Sequence, residues 1–157
     1  MSRTFTLQGF SKHLRKIAHD VPAVIPVALK KSAVAVEDTA VEMFGEYQPA
    51  VGPFPAWAEL TDYTKKDRVA QGFSENEPLY RTGELRDSVS HEIGLRDALV
   101  GSDSDIMVYH EFGTSRMPPR PVLGPALIRN LPQILRIFEY LLILHLMRLS
   151  DSNMALR

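Results

Sequence analysis

The sequence contains no cysteine. That removes disulfides, thiolate metal centres and cysteine nucleophiles together, and it fits manufacture in a reducing cytoplasm. Neither sign of charge dominates: 18 lysines and arginines stand against 19 acidic residues, a formal net charge of −1. Such a chain has no general attraction for nucleic acid or acidic membranes, and tight sequence-independent DNA binding is not expected. Long hydrophobic runs are also missing. The longest, residues 140–147, contains His145 and falls far short of the roughly 20 residues a membrane span needs. The N-terminal MSRTFTLQGFSKHLRK lacks the unbroken apolar core of a secretory signal. Repeats, heptads and low-complexity tracts are absent, as are HExxH, a glycine-rich phosphate loop and GxSxG.

What titratable chemistry there is lies scattered. His13, His19, His91, His110 and His145 stand singly. Triads assemble from distant positions, so a dispersed site stays open, but no spacing favours one. Residues 101–105 (GSDSD) lack the glycine and distal glutamate of a calcium loop, and hairpin-turn chemistry explains them better. On a strand, His110 and Glu111 would point to opposite faces and could not easily share a metal. The expectation is a non-catalytic protein with no metal and no cofactor.

At 157 residues and 45% apolar composition, the chain reads as a single domain, or a single domain with helical extensions. Residues 3–20 have helical period through Phe10, Leu14 and Ile17. Pro26 suits an early helical position, and residues 26–46 carry an apolar stripe of Val27, Val34, Val41 and Phe44 with Ala28, Ala35 and Ala40. Residues 48–79 form a long irregular loop around Trp57, with a possible short helix over 61–69. Such loops are often functional. Thr82 is placed to cap one helical turn containing Leu85. From Ser88 the period becomes two, and three short strands are expected over 88–93, 98–101 and 106–112. The last helix spans 125–150, kinked or restarted at Pro132. It is apolar nearly all round, so its second face meets either another subunit or the helix over 26–46. The fold class expected is α+β: a long N-terminal helix, a small antiparallel sheet of three to four strands, and a C-terminal helix packed on it.

The stretch 109–127 (YHEFGTSRMPPRPVLGPAL) organises these parts. Gly113 breaks the element before it. Pro118, Pro119 and Pro121 then fix their own φ and restrict their neighbours, which makes 114–125 a stiff extended crossing. Arg116 and Arg120 lie on it, either to pair with a partner's carboxylates or simply to be solvated. Together with Trp57, Met117, Phe138, Leu142 and Leu146 they are the candidate interface residues.

Two ordered blocks in this chain resemble tailed-bacteriophage neck and tail-completion proteins. In one, Trp57-x-x-Leu60-Thr61-x-x-Thr64 is followed by Leu79-x-x-Thr82-Gly83-x-Leu85-x-x-Ser88. In the other, Val100-Gly101-Ser102 precedes Glu111-Phe112-Gly113-Thr114, the crossing with Pro121, and Pro125-Ala126-Leu127. The resemblance implies a virion structural protein, made in the host cytoplasm and placed at the head–tail junction or tail end. It implies a homo-oligomeric ring, with connector or head-closure proteins and tail-terminator or tail-tube proteins as partners. DNA would pass nearby without specific binding. A small adaptor module that regulates a partner protein is the alternative from another class.

Overall fold

The computed structural model describes residues 21–152, apart from the side chains of Val21, Leu146 and residues 148–152. It also describes Gln8, Ser11, Lys12, Arg15 and His19, all five helical. The rest of the helix expected over 3–20, and the tail after Ser152, lie outside the described residues. A 3-10 turn over Val21–Ala23 leads into α1 (Ile25–Glu42). Then come α2 (Asp62–Ala70), the single turn α3 (Glu84–Asp87), β1 (Val89–Ile93), β2 (Ala98–Ser102), α4 (Asp105–Phe112) and α5 (Leu123–Ser152).

Helix α1 is the centre of the packing: one side meets α5 and another meets both strands. Its buried positions are Ala28, Ser32, Ala33, Val36 and Ala40. The face that enters the core is therefore the small-residue one, and Val27 is left half exposed. Small side chains let the helix backbones approach closely. Ala40 and Ala126 are fully buried in the core. Beside them Asn130 Nδ2 donates to Thr39 Oγ1 (2.8 Å) and to the Ala126 carbonyl (2.9 Å). Met43, Phe44, Trp57, Val89, Met107 and Val122 complete the core.

The sheet has two antiparallel strands, with Val89 opposite Ser102 and Ile93 opposite Ala98. Two differences from expectation follow. The segment over 106–112 is helix α4, so the sheet has two strands and not three to four. Its Val, Tyr and Phe favour strands, but Met107 is the position it buries. Met107, His110 and Glu111 recur at three to four and share the inward side of a helix. His110 and Glu111 are thus neighbours on one helix, not residues on opposite faces of a strand. Secondly, α5 packs on α1, which itself covers the sheet. It does not replace α1 as the sheet's cover.

The 48–79 region holds α2, whose start is capped by Thr61 Oγ1 accepting from the Thr64 N–H (3.3 Å). Its irregular parts are tied down within the chain. Gln48 donates to the Met43 and Glu46 carbonyls, Tyr47 Oη accepts from the Leu60 N–H, and Arg68 donates to the Ser74 and Tyr80 carbonyls.

Candidate interaction surfaces

The crossing between α4 and α5 is built as a clasp. Gly113 turns the chain at φ +73°, where a Cβ would stand 2.9 Å from the Met117 carbonyl oxygen and 2.9 Å from the Pro119 nitrogen. Thr114 and Met117 then bridge, and the Arg120 N–H donates back to the His110 carbonyl (2.7 Å). Glu111 reaches past this turn. Its Oε1 accepts from the Val122 and Leu123 N–H groups, each at 2.7 Å. Those amides open α5, where helix N–H groups have no partner in their own helix and where the macrodipole favours negative charge.

The far side of the clasp is the 48–60 segment. Trp57 Nε1 donates to the Pro121 carbonyl (3.0 Å). Arg120 Nε and Nη2 donate to the Ala58 and Glu59 carbonyls (3.0 and 3.1 Å). Both side chains are turned inward, Trp57 6% and Arg120 5% exposed. Both therefore have a role within the chain: they hold two of its segments together, because a buried indole N–H and a buried guanidinium need acceptors. Gly83, Pro121 and Pro125 are likewise buried, Leu85 packs against the core, and Thr82 Oγ1 accepts from the Glu84 N–H (3.4 Å). Of the motif residues in the second block, Phe112 faces outward.

Helix α5 carries a stripe of exposed apolar residues. At 100° per residue, Leu127, Leu131, Leu135, Phe138 and Leu142 fall within about 80° of arc. Phe138 is half-buried and the four leucines are exposed, Leu135 at 69% and Leu142 at 40%. The stripe lies beside the one carrying Ala126, Asn130, Ile134 and Ile137, the side that meets α1. At its 18 residues α1 spans about 27 Å, against about 45 Å for the 30 residues of α5. Leu142 of the expected interface set is on this stripe. The Leu146 side chain lies outside the described residues. Leu127, Leu131 and Leu135 share this stripe but stand outside the expected interface set, although their spacing of four, continued by three and four to Phe138 and Leu142, is visible in the sequence.

A second surface is polar. A groove of about 1070 Å³ opens between α2, α3 and the crossing. Arg68, Arg81, Arg116, Arg120 and His110 line it, with Glu59, Glu84 and Asp103. Arg81 is paired with Asp67 (2.9 Å) and Glu59 with Lys65 (3.4 Å). Burial pushes the Arg68 guanidinium below its ordinary pKa; Arg81 adds to this and Glu77 offsets part of it. Burial does the same to Arg120. At His110 burial, reinforced by the charge of Arg120, lowers the imidazole to about 4. Its Nδ1 is buried with no hydrogen-bond partner among the described residues. Arg116 is exposed and Met117 half-buried, both at this groove.

Among the described residues, no three histidine or carboxylate side chains converge as metal ligands, and no helix is long and apolar enough to cross a membrane.

Comparison with known proteins gives one informative similarity. Over 96 residues the chain is 32% identical to the Mu-like prophage FluMu G protein 1 of Haemophilus influenzae, a match that covers 60% of this chain and 64% of that protein. The chain therefore has a phage-related relative, and matches somewhat less than two thirds of that relative's length. No protein-family profile matches the chain, and no solved structure does.

Proposed function

We propose that this protein is a non-catalytic structural subunit of a tailed phage or prophage virion, acting at the head–tail junction as a neck or tail-completion component. The observation that carries this reading is the outer face of α5. Leu127, Leu131, Leu135 and Leu142 stand exposed in one line along it. Contiguous exposed apolar surface of this kind marks an interaction site, and the relative is a prophage protein. Identical subunits would meet through this face and close into a ring. The net charge of −1 suits a wall that DNA passes without adhering.

Deleting the gene from its phage or prophage and imaging the lysate by negative-stain electron microscopy tests the reading. Separate filled heads and finished tails place the protein at the junction. Tails of abnormal length or with ragged ends move it to tail completion. Normal joined particles sink the proposal and promote the regulatory adaptor. Complementing the deletion with Leu142→Asp tests the face itself: a soluble, folded subunit that gives no infectious particles is expected, and wild-type titres would remove α5 as the interface.

A further inference from the structure

The polar groove holds two buried positive charges with no directly bonded carboxylate among the described residues, Glu77 acting on Arg68 without a salt bridge. Arg68 is 4% exposed and Arg120 is 5% exposed. Each spends Nε and one Nη nitrogen on backbone carbonyls. A guanidinium has five N–H donors, so several on each are left over. Among the described residues, neither makes a salt bridge to a carboxylate. Buried charges are ordinarily paired. Two such cations on the walls of one groove, with the exposed Arg116 also lining it and in no salt bridge among the described residues, suit the groove to an anionic group.

The surroundings narrow the anion. Glu59, Glu84 and Asp103 are exposed residues among those lining the groove. A nucleic acid would lay a row of phosphates past these carboxylates and meet repulsion from each. A peptide inserts one or two carboxylates between them and turns its other side chains away. Thr82 adds a hydroxyl that can donate to an inserted segment, and the hydrogen-bonded Thr61–Thr64 pair (3.0 Å) adds one more. We propose that the groove between α2, α3 and the crossing binds an extended acidic segment of a partner protein, with its carboxylates on Arg68, Arg120 and Arg116. The arginines suit this because their planar forks match carboxylate geometry. The inference does not rest on the virion reading, since an adaptor would use such a groove equally.

The test is fluorescence anisotropy of a labelled glycine–serine hexapeptide carrying two glutamates, titrated with the full chain, with a labelled single-stranded oligonucleotide and unlabelled inorganic phosphate as rivals. Saturable peptide binding is expected. Arg116→Glu, at an exposed position that the fold does not need, should weaken it at least ten-fold with an unchanged circular dichroism spectrum. Leu135→Asp, on the outer face of α5, should leave it unaltered. In NMR spectra the Nε–Hε signals of Arg68 and Arg120 should shift with peptide. Absence of peptide binding, tighter binding of the oligonucleotide, displacement by millimolar phosphate, or full binding by Arg116→Glu would each overturn the proposal.

Discussion

Replacing Glu111 by alanine is the sharpest test of how the clasp works. The carboxylate accepts two amide N–H groups at 2.7 Å, and one belongs to Val122, which is fully buried. Alanine leaves both amides without their acceptor. Losing a helix cap costs about 0.5–2 kcal/mol. A charge-assisted bond contributes about 1.5–3 kcal/mol, and the macrodipole adds roughly 0.3–1 kcal/mol for a negative group at this end. These contributions overlap, so about 3 kcal/mol is expected for Glu111→Ala. Glutamine keeps a carbonyl oxygen in place and loses only the charge, and should cost about 1 kcal/mol. Urea unfolding followed by far-UV circular dichroism measures both. Against a total stability on the order of 5–15 kcal/mol, the alanine change should lower the midpoint visibly at an unchanged slope. In heat, the melting temperature should fall by roughly 6–12 °C. A loss under about 1 kcal/mol for alanine would refute the reasoning, because the two short bonds would then contribute no more than solvent does.

Two further outcomes follow from the same region. Gly113→Ala forces a side chain into the left-handed region at φ +73° and against the Met117 carbonyl; a loss of at least about 2 kcal/mol is expected in the same urea assay, and a neutral result would mean that the turn relaxes freely. His110 sets a pH dependence: its folded pKa is lowered from 6.5 to about 4, so the unfolded chain takes up the proton first. Stability contributed by the neutral ring is present above pH 6.5 and falls as the pH drops from there towards 4. Melting temperatures at pH 7 and pH 5 should therefore differ more for the wild type than for His110→Gln, and equal differences would remove His110 as the cause.

How much of this was legible in the sequence depended on what each segment buries. Helix α1 was readable because its burial repeats at the helical period, and the β1–β2 hairpin because two runs with strand-forming residues flank a polar turn. The α4 segment was misread because its β-branched and aromatic residues face outward, Phe112 at 81% exposure. Propensity without burial is a weak guide. The better signals were the ends: Ser104 and Asp105 open the helix and Gly113 closes it. Arg120 reads as a solvent-facing charge on a proline-rich loop, and nothing local announces that carbonyls 61 and 62 residues away will take it inward. Glu111 is similar. Its neighbour in sequence is His110, but its partners are the amides 11 and 12 residues on, across a turn that only Gly113 permits. The outer stripe of α5 was legible as excess apolarity; which leucines form it became plain once the face covered by α1 was known.

The bond from Trp57 to Pro121 joins residues 64 apart, so α2, α3, the hairpin and α4 lie in a single excursion whose two ends are pinned together and whose hairpin packs back on α1. Closing such an excursion costs entropy that grows only with the logarithm of its length. Ten residues added to the exposed hairpin turn 94–97, which the pairing of Ile93 with Ala98 closes, would raise that cost by roughly 1 kcal/mol. The hairpin turn can thus lengthen at modest cost while the clasp stays fixed. The hairpin tip is accordingly the place to insert a peptide label for locating the protein in intact particles, since neither the outer face of α5 nor the seam between α1 and α5 would sense the addition.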